Sequence, residues 1–246
     1  FAKAYGDKIL LWRITNTADP VPGSLQTFFG GYKQFGKQYK YSVSPKLATQ
    51  QHDMAMYFDV SVHKYYKALQ KAQEAGLIAK TPMQQLNGTE PLVAVWIGSS
   101  QALEKRPYMP DIQSFLLSEY KNMLPRYIIM DDDIKLYRQE FYPLNYFIRE
   151  AQAVGADYII IAEMDGHQPR NSQNWYINMN QSVFNANGGV INVISISKLV
   201  SPVSGNMHAA VYAVKEGRTQ LKQYLPFIKT RYNKTPQWIS LGEVEN

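Results

Sequence analysis

Two residues of this chain have the types and surroundings that proton transfer needs. Asp19 lies in Ala18-Asp19-Pro20-Val21-Pro22, just after the apolar run that starts at Ile9. Pro20 drives Asp19 out of the helical region and Pro22 stiffens the turn. A carboxylate held at a strand's end can accept the Nδ1–H of a His, fix its tautomer and stabilise the imidazolium. His52, 33 residues further on, follows Gln50-Gln51 and precedes a helical pattern. A loop-to-helix junction leaves an imidazole free enough to reach a nucleophile while an acid orients it. Each residue also has a plainer reading: a turn Asp bonded to nearby backbone N–H groups, and a surface His bonded to a carbonyl. A serine must complete such a triad. Ser99 and Ser100 follow an apolar run but lack a Gly-x-Ser-x-Gly word and come after the His. In the chain order Ser, acid, His the nucleophile is expected upstream of Phe1. On this reading the chain is a piece of a longer protein and inactive alone.

The other polar candidates read as structural. His63 is expected on a helix surface. His167 and His208 share no metal-ligand spacing. Asp131-Asp132-Asp133 reads as a solvated strand-end turn rather than a cation site. Asp165 and His167 read as residues of a loop covering 163–168. With no Cys, disulfides, thiolate metal sites and a Cys nucleophile are excluded. No cofactor and no metal are expected.

These residues need elements to hold them. Lys8 to Thr15 is a strand candidate. Gly30 to Tyr41 is rich in Gly, Lys and aromatic residues and reads as a loop with short strands. A helix is predicted over 53–75, with Phe58, Val62, Tyr65, Leu69 and Ala72 on one stripe and Gly76 as its stop. Residues 79–91 read as a linker, because two Pro and a Gly cannot continue a helix. Beyond it, strand and helix alternate. Leu92 to Ile97 is a buried strand, and Asp111 is the N-cap of the next helix. Tyr127 to Met130 is a strand. A helix follows Pro143 and stops at Gly155. Tyr158 to Ala162 is a strand. Trp175–Val183 and Val190–Ser197 flank Asn185-Ala186-Asn187-Gly188-Gly189 as a hairpin. A helix over 206–224 ends before Pro226.

Composition fits a protein that buries a core: 246 residues, 45% hydrophobic and 19% charged. No run of eighteen apolar residues is present, so no transmembrane segment is expected. No signal peptide is read, since Phe1 is not Met and no basic stretch precedes an apolar one. The net charge of +6 is concentrated early: residues 1–90 hold 11 Lys+Arg against 6 Asp+Glu. That excess suits an anionic surface such as lipid headgroups, or is a solvated Lys face. The basic residues are dispersed, so nucleic acid is not an expected partner. The 18 tyrosines suit an interface or a carbohydrate surface.

Residues 1–70 resemble the closing stretch of class-three lipases, the fungal-type family of α/β-hydrolases. The resemblance is carried by Phe1-Ala2-Lys3-Ala4-Tyr5, Trp12-Arg13-Ile14-Thr15-Asn16 leading to Asp19-Pro20-Val21-Pro22, Gly31-Tyr32 with Phe35-Gly36, and His52 with Met54 and Tyr57. It implies Asp19 as triad acid and His52 as base. The family's Gly-His-Ser-Leu-Gly elbow is not in this chain. Residues 91–225 resemble, through Leu92-Val93-Ala94-Val95, Arg126 to Asp131 and Gly155-Ala156-Asp157-Tyr158 before a long hairpin, another domain. It is the small α/β domain of the Tol translocation protein's amino-terminal part, the curli-secretion lipoprotein and a flagellar H-ring protein. That resemblance implies binding and assembly in the bacterial envelope.

The expectation is therefore an α/β chain. Residues 1–78 would be the C-terminal part of a hydrolase domain, and 92–246 a small α/β domain with a mixed sheet and a long hairpin. The leading function is the end of a lipase-like serine ester hydrolase, with a lipid or ester substrate, fused to an envelope docking domain. The alternative is a non-catalytic structural or interaction component of a bacterial envelope, secretion or motor assembly. Both imply a protein partner and a periplasmic, outer-membrane-associated or secreted location.

Overall fold

The computed structural model describes residues 12–17, 37–41, 53–100, 109–130, 142–201 and 205–229. The strands are β1 (Trp12–Asn16), β2 (Lys37–Tyr41), β3 (Gln84–Gln85), β4 (Val93–Ser99), β5 (Tyr127–Ile129), β6 (Tyr158–His167), β7 (Trp175–Asn185) and β8 (Val190–Val200). The helices are α1 (Met54–Glu74), α2 (Met109–Met123), α3 (Leu144–Ala153) and α4 (Asn206–Tyr224).

Six strands form one mixed sheet in the order β3-β5-β4-β6-β7-β8. β4 lies parallel to both β5 and β6, while β6–β7 and β7–β8 are antiparallel hairpin pairs. β1 and β2 form a separate parallel pair, Trp12 opposite Lys37 through Asn16 opposite Tyr41. Residues 18–36, between these two strands in the chain, lie outside the described set.

β4 is buried along its whole length, so its apolar run feeds two cores at once. Val93, Val95 and Ile97 join α2 and α4 in the larger core. Ala94 and Trp96 join Phe147 and Ala151 of α3 in the smaller one. A strand covered by helices on both faces reads as a continuous hydrophobic run rather than an alternating one. β6 and β7 alternate instead: Ile160, Ala162, Met164, Ile177, Met179 and Val183 face α2 and α4. Their intervening residues beyond α3's reach are polar.

α1 lies against this second region. Phe58, Val62 and Tyr66 pack on the larger core. The buried residues of α1 are Met56, Asp59 and Val60. Tyr65, expected on the apolar stripe, is 51% exposed, because the buried face is rotated toward Asp59. Within the stretch read as a linker, Gln84–Gln85 pair with β5 as the sheet's edge. Two residues are too few to show a strand's alternation. The loop expected over 163–168 is strand: β6 continues to His167, since ten pairs with β7 hold it. Asp111 is not the cap of α2, which starts two residues earlier with Pro110 in its first turn, where a missing N–H costs nothing. No helix of the described residues is long and apolar enough to cross a membrane.

Candidate functional site

Asp19 and His52 both lie outside the described residues, as do Asp131-Asp132-Asp133. Their flanks are described. β1 ends at Asn16, and Asp53 caps α1, its Oδ1 accepting the Ala55 N–H at 2.8 Å. The Asn16 backbone N–H reaches the Tyr57 hydroxyl at 3.4 Å. So the end of the strand that leads to Asp19 touches the first turn of the helix that follows His52. An open groove of about 620 Å³ lies beside this junction, lined by Ile14, Met54, Tyr57, Phe58, Ser61 and His208. Burial, and secondarily the charge of Lys198, push the His208 imidazole down from its usual value.

Ser99 and Ser100 have no catalytic setting. Ser99 Oγ accepts a 3.4 Å bond from Gln113, and Ser100 Oγ is buried without a partner. Among the described residues neither is hydrogen-bonded to a His. Among the described residues no three His, Asp or Glu converge as a metal site.

His63, read from sequence as a surface residue, instead ties two helices. Its Nδ1 lies 2.5 Å from Asp111 Oδ2, joining α1 to the first turn of α2. The partners are 48 residues apart, a separation no helical periodicity reports.

The most elaborate polar centre is Asp59, which sequence reasoning passed over as one charge within a helix. Its side chain is fully buried. Oδ2 accepts the N–H groups of Gly205 (2.7 Å) and Asn206 (3.2 Å), and Oδ1 those of Met207 (3.1 Å) and His208 (3.2 Å). These are the orphan donors of α4's first turn, where the helix dipole also favours an anion. Gly205, with φ of 92°, turns the chain into this cradle. Burial pushes the Asp59 carboxyl up to about 6, against the lowering pull of the four N–H donors. The site is therefore a structural lock holding α1 to α4. No ligand can enter it while Asp59 fills it.

The remaining candidate is the outer part of the sheet. Glu163, Asp165 and His167 of β6, Asn178 and Asn180 of β7, and Ser195 and Ser197 of β8 share one face by register. Ser197 Oγ donates to Asn178 Oδ1 at 2.6 Å, and His167 stacks on Tyr176 at 5.2 Å between ring centres. At the rim, β8 has no neighbour on its outer side among the described residues. It is eleven residues long, and Val190, Val193 and Leu199 are 66%, 62% and 49% exposed. Its single charge, Lys198, is turned away to sit 4.4 Å over the Tyr212 ring of α4.

No family model matches the chain, and no curated protein matches its sequence. Solved structures do. A hypothetical protein, CT253, from Chlamydia trachomatis is 15% identical over 56% of this chain and 98% of its own, with a TM-score of 0.37. A PelC dodecamer from Paraburkholderia phytofirmans is 12% identical over 55% and 90%, at 0.35. The lipoprotein GNA1162 from Neisseria meningitidis is 12% identical over 55% and 99%, at 0.33. None of these three is named as a lipase. All lie below a TM-score of 0.5, so none of them fixes this chain's function.

Proposed function

We propose that this chain is a non-catalytic assembly component of a bacterial envelope system, and that it associates through the open edge of β8. The observation that carries the reading is that edge itself. Half the N–H and C=O groups of an edge strand lack a ladder partner, and proteins that stay monomeric guard such edges with charge, Pro or a covering element. β8 has no Pro, and its one Lys is folded back onto Tyr212. Its exposed row of Val193, Ser195, Ser197 and Leu199 is uncharged. The occupant proposed is a second copy. An antiparallel pairing of β8 with β8 about a two-fold axis presents the same strand on both sides and opposes no like charges near its centre. The envelope setting comes from the resemblance of residues 91–225. Sedimentation across a concentration series tests this. The wild-type chain is expected to dimerise, and Val193→Lys with Ser195→Lys to stay monomeric with its melting temperature within about 2 °C. A wild-type chain that is monomeric throughout, or variants that dimerise equally well, would refute the edge.

A second reading is favoured by the Asn16–Tyr57 contact. Asp19 is three residues past Asn16, and His52 is one residue before the cap of α1. Three residues of extended chain span about 10 Å, and the nearness of the two described flanks is what supports this reading. On this reading Asp19 orients His52 as the acid and base of an ester hydrolase whose serine is supplied elsewhere. An Asp19–His52 pair raises the imidazole pKa, because the carboxylate favours the charged form. Titrating His52 by NMR should show a fall of about one unit in Asp19→Asn. Identical titrations would remove the pair.

A further inference from the structure

We infer that the cleft between α1, α2 and residues 80–83 binds a single-chain lipid with an anionic head. The cleft is open to solvent on one side and has a volume of about 520 Å³, within the range of pockets that take small molecules. Its walls are built. One face of α2 supplies Asp111, Ser114, Leu117 and Lys121 at helical spacing, and α1 supplies Tyr66, Lys67 and Leu69. Lys80 to Met83 complete the lining. That segment is anchored by three bonds to its carbonyls. Lys121 Nζ donates to Thr81 at 3.1 Å, the Tyr127 hydroxyl to Pro82 at 3.0 Å, and the Ile129 N–H to Met83 at 2.9 Å.

Charge selects the head. Three ammonium groups, Lys67, Lys80 and Lys121, line the cleft. The one carboxylate in the lining, Asp111, is engaged by His63 at 2.5 Å. Lys67 and Lys80 have no partner among the described residues. A carboxylate or phosphate placed here receives charge-assisted hydrogen bonds and relieves repulsion among the amines. Half-burial already pushes the Lys121 amine down, and an anion beside it would reverse that. Shape and surface select the tail. Leu69, Met83, Leu117 and the ring of Tyr66 add carbon to the same lining. A nucleotide or a free anion would leave that surface wet, whereas an acyl chain covers it. Each added methylene that reaches it strengthens binding about fourfold.

Calorimetric titration of the whole chain, below micelle-forming concentrations, decides the matter. The probes are laurate, octanoate, lauroyl lysophosphatidylglycerol, neutral monolaurin and inorganic phosphate. Laurate, lauroyl lysophosphatidylglycerol or both should bind saturably at one site, and the tighter of the two names the head as carboxylate or phosphate. Monolaurin and inorganic phosphate should each bind at least tenfold more weakly. Octanoate should trail laurate by a hundredfold or more if all four methylenes are covered. Lys67→Gln with Lys80→Gln leaves the Lys121–Thr81 bond in place. It should lower affinity at least tenfold with an unchanged melting temperature. Monolaurin binding as tightly as the two anionic lipids, phosphate matching laurate, an unaffected double variant, or no saturable binding by either lipid would each overturn the inference.

Discussion

Asp59→Ala is expected to lower the melting temperature by about 10 °C. The substitution leaves four backbone N–H groups at the buried start of α4 without an acceptor. Losing a helix cap alone costs about 1 kcal/mol, and each buried donor left unpaired costs about 1–3 kcal/mol before water reaches it. At the low end of that range, with the cap loss being part of the same donors, the four cost about 4 kcal/mol in all, worth roughly 2–4 °C per kcal/mol for a chain of this size. The loss should be spread over both regions, because Asp59 belongs to α1 and its donors to α4. The same residue sets a pH dependence. Its carboxyl is raised by burial to about 6 from 3.8. Between those values the native state holds a proton that the unfolded chain has released. The stability this group contributes is therefore full below about pH 4 and declines as pH rises through 6. Asp59→Asn keeps one acceptor and removes the titration, so its stability should be flatter than wild type between pH 4 and 6. Thermal melts across that window check both the drop and the slope.

Tyr120→Phe is expected to cost about 2 kcal/mol, from a single oxygen. Tyr120 is completely buried, and its hydroxyl donates to Gln181 Oε1 at 2.5 Å. The Gln181 amide in turn approaches the carbonyl of Gly217 at 3.5 Å. These three residues join α2, β7 and α4 through the middle of the larger core. Gly217 allows the close approach, since a Cβ there would stand 2.6 Å from Met179 Cε. Burial also pushes the Tyr120 phenol strongly up, so it stays a donor at every physiological pH. Removing the hydroxyl strands the Gln181 oxygen in a dry site, at a cost of about 1–3 kcal/mol. Replacing Gln181 by Met in the same chain removes the stranded group. Tyr120→Phe/Gln181→Met should therefore recover most of the stability, a non-additivity that a double-mutant cycle reads by denaturant unfolding.

Much of the α/β order was legible because its signals are local. Pro143 and Gly155 bracket α3, the Asn-Gly-Gly word makes the β7–β8 hairpin, and the 3.6-residue period marks α4 to the residue. The centre of β4 reads as buried because every residue of it is apolar. What escaped is non-local. Asp59 looks like one charge in an amphipathic helix, and its partners are 146 to 149 residues away. His63 and Asp111 each read locally as ordinary, a surface position and a cap, and only the packing of α1 on α2 brings them to hydrogen-bond distance. The extension of β6 through Asp165 and His167 was hidden by polarity. A half-open sheet face carries polar residues where a buried one carries Ile. The hydrolase expectation rests on Asp19 and His52, which lie outside the described residues.

The central claim is that β8 is an interface edge. Amide hydrogen exchange of Val190–Val200, measured at low and high protein concentration, tests it most directly. Amides already bonded to β7 should exchange slowly in both samples. The alternate, outward amides should be fast when dilute and protected when concentrated, because a second strand supplies their acceptors. Outward amides that exchange at the same fast rate at every concentration would show that no strand docks there.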